Sequence, residues 1–172
     1  VTLLQRIMAF EGNYIDGLMV RKECILTLLK AKYYLSSIFT VIPFCLMLPA
    51  VFKGKVDILF IVSILFFTTG FVYFALFQLA VYNKETTPLN AKISTRQSSS
   101  TIQKIITFVA LLLPLGIFPL FGKICGETVG NIILLVIGVI LTATSSLWLR
   151  NIYNRFMKRR YANMASFHDS RN

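Results

Sequence analysis

The chain has 172 residues, of which 56% are hydrophobic and only 15% are charged, and its formal net charge is +11. A soluble domain carries about 25% charged residues and just under half apolar ones, so the composition argues against a soluble enzyme and favours a membrane protein. The excess of 18 Lys and Arg over 7 Asp and Glu would indicate nucleic-acid binding in a polar chain. In an apolar chain it is typical of cytoplasmic loops.

The first 32 residues predict a cytoplasmic amphipathic segment. A short apolar stretch is interrupted at 11–17 by two acids and two glycines, and apolar residues then recur near helical spacing between basic ones. This pattern favours short helices at the membrane surface. The chain begins with Val1 rather than Met and shows no cleavable signal peptide, so we expect an upstream portion to be missing.

Four apolar stretches follow, at 33–52, 58–82, 105–122 and 129–149, and none contains Asp, Glu, Lys, Arg or His. Each is long enough to cross a hydrocarbon core, which needs about 20 helical residues. The sequence therefore predicts an all-α polytopic membrane protein with four transmembrane helices. Ionisable residues inside spans usually mark ion pathways, and these stretches offer none for a proton-coupled mechanism.

Particular residues inside the first two stretches predict local features. Pro43 and Pro49 are expected to kink or end the first helix. Thr68, Thr69 and Gln78 in the second stretch are expected to hydrogen-bond across helices.

Glycines give the third and fourth stretches a different character. Gly122, Gly126 and Gly130 are spaced four apart, which fits either a smooth helix face for close packing or a plain turn outside the cytoplasm. The hairpin there is either two clean helices or a broken, re-entrant element. Gly138 and the polar residues of the fourth stretch fit either helix packing or the lining of a path, and we favour packing.

Positive charge orients the spans. The N-terminal segment, the middle loop at 83–104 and the tail at 150–172 together hold 15 of the 18 Lys and Arg, so the positive-inside rule places both termini in the cytoplasm. The middle loop is polar and predicted to be flexible. The basic tail follows Trp148, and we expect it to set topology and contact anionic lipids through Arg155, Lys158, Arg159 and Arg160.

Motifs for catalysis and nucleotide binding do not occur in the sequence. It has no G-x-x-x-x-G-K-[ST] loop, no nucleophile elbow and one histidine. Its three cysteines lie far apart, which argues against a zinc site or a disulfide framework. We therefore expect no catalytic, cofactor or metal site, and a protein driven by ATP would need another chain to bind it.

One stretch of the N-terminal segment resembles a known family. Its order is Phe10-Glu11-Gly12, then Asp16-Gly17-Leu18-Met19, then Lys30-Ala31-Lys32-Tyr33 entering a span. This order resembles the cytoplasmic segment of bacterial ATP-binding-cassette exporter permeases of the second type. In those permeases an acid and a glycine precede a short coupling helix, and a Lys precedes the third of six spans. The tail, Arg159-Arg160-Tyr161-Ala162-Asn163-Met164, is also similar to that of an uncharacterised group of larger bacterial permease-like proteins.

The resemblance implies a permease subunit in the inner membrane, with both termini of this chain cytoplasmic and the first two spans absent. A separate ATP-binding-cassette ATPase would contact the coupling segment through Glu11, Asp16, Gly17, Arg21 and Lys22. Membrane lipids are further expected partners, a homodimer is left open, and nucleic acid is not expected. The family's Pro-Ser or Pro-Val after the coupling helix is replaced here by Arg21-Lys22-Glu23-Cys24.

Two other functions fit the same spans. A non-transporting membrane scaffold or assembly protein would bind lipid or a partner through the basic cytoplasmic segments. A membrane-embedded enzyme acting on lipids would need polar or acidic residues clustered at membrane depth, which the four stretches do not show.

Overall fold

A computed structural model describes residues 15–82 and 101–169. Those residues form helices and no strand, so the all-α prediction is confirmed. In chain order the elements are α1 (Ile15–Val20), α2 (Lys22–Phe52), α3 (Ile58–Phe67), a π-helical turn (Thr68–Val72), α4 (Tyr73–Phe77), α5 (Leu79–Tyr82), α6 (Thr101–Cys125), α7 (Glu127–Ala143), α8 (Ser145–Lys158) and α9 (Arg160–Asp169).

Three helical segments among the described residues are long and apolar enough to cross a membrane: Cys24–Phe52, Ile58–Val81 and Ile105–Cys125. A fourth crossing is reached if α7 and α8 count as one span, although the two helices meet at an angle of 58°. The protein is thus polytopic, as predicted. We call the end of the bundle that carries residues 22–33 and 148–169 the basic end, and the opposite end, with the turns at 53–57 and 126, the hairpin end.

The first long helix is longer than the sequence indicated. It starts at Lys22 instead of near Tyr33, and it runs through both Pro43 and Pro49 without ending. A proline removes one backbone hydrogen bond, whereas ending a helix in hydrocarbon would leave several unsatisfied. Continuing the helix therefore costs less. With 31 residues, α2 is about 46 Å long at 1.5 Å per residue.

The turn between α6 and α7 uses its glycines in both of the ways that the sequence left open. Gly126 has a φ of +88°, which is strained for any residue with a side chain, and it reverses the chain. Gly130 then packs against α6 so closely that an added Cβ would lie 3.0 Å from the carbonyl carbon of Phe121. One glycine makes the turn and another allows the two helices to touch.

Glycines also decide where α3 and α7 cross. A Cβ on Gly138 would lie 2.5 Å from the carbonyl carbon of Phe66, and a Cβ on Gly70 would lie 2.5 Å from the Gly138 carbonyl oxygen. Thr69 Oγ1 and Thr142 Oγ1 are 3.5 Å apart beside this crossing. Packing through small residues is how membrane helices approach closely, and the packing role expected of Gly138 is confirmed.

The best-buried core lies at the basic end. Its fully buried members come from five different helices and include Ile25, Leu29, Phe77, Leu79, Ile152, Phe156 and Phe167. Above it, the Tyr33 ring meets the Trp148 ring edge-on, with centroids 5.4 Å apart. Tyr73 ties α4 to α2, because its hydroxyl donates to the Ser36 carbonyl oxygen at 2.9 Å.

The segment at 150–172 is more than a basic tail. Its described part consists of the end of α8 and all of α9, and Ile152, Phe156 and Phe167 belong to the core. These apolar residues recur at helical spacing among the basic ones, so one side of the segment packs and the other carries charge. Of the middle loop predicted at 83–104, residues 83–100 lie outside the described residues, and 101–104 belong to α6 instead of to a flexible loop.

Candidate functional site

The short helix α1 lies at the surface of the basic end and corresponds to the predicted coupling segment. Asp16 and Gly17 are exposed, while Leu18 packs against the buried core. A single residue, Arg21, separates α1 from α2, and its carbonyl oxygen already accepts a hydrogen bond from the Cys24 backbone N–H at 2.9 Å. The helix is therefore held on its inner side by the core and at its end by α2.

The structure describes only some of the residues predicted to form the coupling contact. Arg21, Asp16 and Gly17 are each exposed. Glu11 lies outside the described residues, and so does the side chain of Lys22. The three that are described are therefore accessible, as a contact with another subunit requires.

The C-terminal helix α9 contacts α1 at this surface. Phe167 is fully buried in the same core that holds Leu18, and Met164 packs against it. Asn163 is 5% exposed and also faces inward. Sequence reasoning missed this neighbour, because α1 and α9 lie near opposite ends of the described chain and no local pattern brings them together.

The four residues predicted to contact lipid lie on α8, on α9 or between these helices. Lys158 and Arg159 are exposed, and Arg160 is half-buried. The guanidinium of Arg160 lies over the Tyr161 ring, 4.5 Å from its centroid, and Nη2 donates to the Tyr161 hydroxyl at 2.7 Å. Tyr161 itself is 71% exposed.

Arg155 differs from the other basic residues of the segment. Its side chain is half-buried and Nη2 donates to Oε1 of Gln78, which lies between α4 and α5 where the returning span is interrupted. The Arg155 Nε is buried without a hydrogen-bond partner. The helix-to-helix role predicted for Gln78 is confirmed, and its partner is a residue that the sequence had assigned to lipid.

A family model covers nearly the whole chain. It matches residues 1–170 and is described as a family of unknown function, DUF5687. The chain belongs to this family. No curated protein matches the chain, and no solved structure matches it. Membership of DUF5687 assigns no activity to the chain.

The hairpin end of this DUF5687 chain holds a cleft of about 640 Å³. Exposed charges from both turns border it, namely Lys55, Asp57, Lys123 and Glu127. The Phe60 and Phe118 rings, which meet edge-on with centroids 5.5 Å apart, form an apolar wall. Each turn contributes one Lys and one acid to this rim, but only the packing of α3 and α7 shows that the two turns are neighbours.

Metal and thiol chemistry have no site in the part of the chain that the structure describes. No three His, Cys, Asp or Glu side chains come together there as a metal ion would require. Cys24, Cys45 and Cys125 are separate, reduced and exposed. The described residues thus offer two features for function, an exposed docking surface at the basic end and a cleft with mixed charges at the hairpin end.

Proposed function

We propose that this chain is the membrane-spanning permease part of an ATP-driven exporter, with energy supplied by a separate nucleotide-binding subunit. The observation that supports this most is the joint at Arg21, where an exposed short helix meets a 31-residue helix without any flexible linker. A force applied to α1 is passed directly into α2.

The motion would spread from α2 to the helices that it touches. α2 contacts α3 and α8, and both belong to interrupted spans. The α3 span contains the π-helical turn and the break at Gln78, and α8 joins α7 at the 58° bend. Interruptions of this kind mark positions where a helix can change direction, so they would act as hinges during transport.

The cleft at the hairpin end would then lie where cargo leaves the membrane. With the basic end in the cytoplasm, as the positive-inside rule indicates, the cleft faces outward. Its aromatic wall and its rim of Lys and acidic side chains suit an amphipathic molecule better than a small ion.

Co-purification tests the proposal. The full-length protein is isolated in detergent from its native host with ATP and vanadate present, and the complex is examined for a subunit with a Walker A motif. We expect such a subunit to be retained, and its ATP hydrolysis to be stimulated by the permease.

Two matched charge reversals make the test specific. Arg21→Glu alters an exposed residue at the basic end, whereas Lys53→Glu alters an exposed residue at the hairpin end that does not line the cleft. We expect the first to release the ATPase and the second to retain it. A wild-type protein that never holds an ATPase, even with nucleotide trapped, would refute the exporter proposal, and harmful effects confined to charge reversals at 150–172 would favour the scaffold.

A further inference from the structure

We propose that the ATPase docks on a composite surface made by α1 and the C-terminal helix α9, with Arg160 and Tyr161 as its central contacts, and that the ATPase presents an acidic groove there. This inference rests on the proposed function. It adds a second contact element, the C-terminal helix, to the coupling segment that the sequence indicated.

Shared packing makes the two helices one surface. Leu18 of α1 and Phe167 of α9 pack into the same core, where Ile25 and Leu29 of α2 are fully buried. The helices also contact one another directly. A partner that binds α9 therefore holds α1 as well, and a push on either is delivered to α2.

The surface pair formed by the half-buried Arg160 and the exposed Tyr161 has the properties of a binding hot spot. Tyr and Arg are the residue types that dominate interface energies, together with Trp. Tyr161 is 71% exposed, and the guanidinium stacked 4.5 Å above it and bonded to its hydroxyl holds both side chains in place. Because the pair is ordered before binding, less side-chain entropy is lost when a partner covers it.

The charge of the surface defines the chemistry of the partner. Arg21, Lys158 and Arg160 contribute positive charge around α1 and α9, while Asp16 is the acid of α1. A complementary partner is acidic, and its association is expected to weaken as salt rises.

Residue sizes on α9 favour a protein partner over the bilayer. A helix that lies on a membrane inserts bulky apolar side chains such as Leu, Phe or Trp. On α9 the large apolar residues Met164 and Phe167 pack into the core, and the exposed positions Ala162 and Ala165 are small. Apart from the Tyr161 ring, whose hydroxyl is bonded to Arg160, the described outward face has little to bury in lipid and can bind a polar groove.

The experiment compares two α9 variants, Tyr161→Ala and Arg160→Glu, with the hairpin-end control Lys53→Glu, which alters an exposed Lys outside the cleft. The full-length proteins are purified with ATP and vanadate, and the retained Walker-motif ATPase is measured over a series of salt concentrations. We expect each α9 variant to bind the ATPase at least about thirtyfold more weakly, which corresponds to the loss of one hot-spot contact. The control should match wild type.

The outcomes separate this inference from the function on which it rests. If wild type retains the ATPase and both α9 variants retain it equally well, the composite surface is refuted while the exporter remains. If wild type retains none, the exporter itself fails. Reconstitution in phosphatidylcholine vesicles with and without phosphatidylglycerol tests the bilayer: an Arg160→Glu defect that appears only with the anionic lipid would overturn the protein-docking assignment.

Discussion

The crossing of α3 and α7 offers the sharpest test of how this bundle is held together. Gly138→Ala would place a Cβ 2.5 Å from the Phe66 carbonyl carbon, 2.6 Å from the Phe67 nitrogen and 2.7 Å from the Phe66 oxygen. All three atoms are backbone, so no side chain can rotate away. An ordinary contact is 3.4 Å or more, and the helices must therefore separate by about 1 Å.

That separation has a calculable cost. Dispersion contacts on both sides of the crossing fall by a quarter to a half for a gap of about 0.5–1 Å, and the approach between the Thr69 and Thr142 hydroxyls, 3.5 Å apart in the native packing, lengthens beyond hydrogen-bonding range. Overpacking of this kind costs about 1–3 kcal/mol. Part of the cost is offset because Ala is a better helix former than Gly by up to about 1 kcal/mol.

A matched control exists on α6. Gly116 is also a helical glycine, but an added Cβ there would meet nothing within 4 Å, so Gly116→Ala should leave stability unchanged or slightly raised. Unfolding of the detergent-solubilised protein is followed by the fluorescence of Trp148, the one Trp of the chain. We expect Gly138→Ala to unfold at a lower temperature than both wild type and Gly116→Ala. Equal transitions for the two variants would refute the close backbone crossing.

Two further substitutions test the basic end. Phe167→Ala removes a fully buried ring and is expected to lower the free energy of unfolding by about 3–5 kcal/mol, measured in the same thermal assay. Tyr161→Ala, at an exposed position, should lower it by under about 1 kcal/mol. Similar losses for the two variants would mean that α9 is not packed. Gln78→Leu removes the acceptor of the Arg155 hydrogen bond and should lower the free energy of unfolding by about 1–3 kcal/mol. The double variant Gln78→Leu/Arg155→Leu should recover part of this loss. Strictly additive losses would show that the two side chains are not coupled.

The bundle itself could be predicted from the sequence because uncharged apolar stretches of this length have few alternatives to spanning helices. Helix ends were harder to predict. Pro43 and Pro49 break helices in water, yet in hydrocarbon the lost hydrogen bonds of a break outweigh the one lost to each proline. The bend at Thr144 is marked by no proline or glycine in the sequence; there the Thr144 hydroxyl donates to the Ile140 carbonyl oxygen at 2.8 Å, and α8 then packs into the basic-end core.

The candidate coupling residues were named from a local signal, and their role stays a prediction. Asp16, Gly17 and Arg21 are close in sequence, and each is exposed in the structure. The contribution of α9 depends on contacts between distant segments, which a single sequence does not reveal. Spacing did hold a usable signal: Ile152 and Phe156, four residues apart in an otherwise basic segment, indicate a packed helix face that overall charge conceals.

The unequal packing of the two ends suggests how the proposed exporter would move. At the basic end, large side chains from α2, α8 and α9 interlock with the returning span in one core, and a close-packed core of this kind moves as a unit. Toward the hairpin end the helices are held instead by close glycine contacts, and a cleft of about 640 Å³ separates the two turns. A force on α1 and α9 would therefore shift the basic-end core as a rigid unit. The helices would pivot where Gly70 and Gly138 cross, and the width of the cleft at the hairpin end would change.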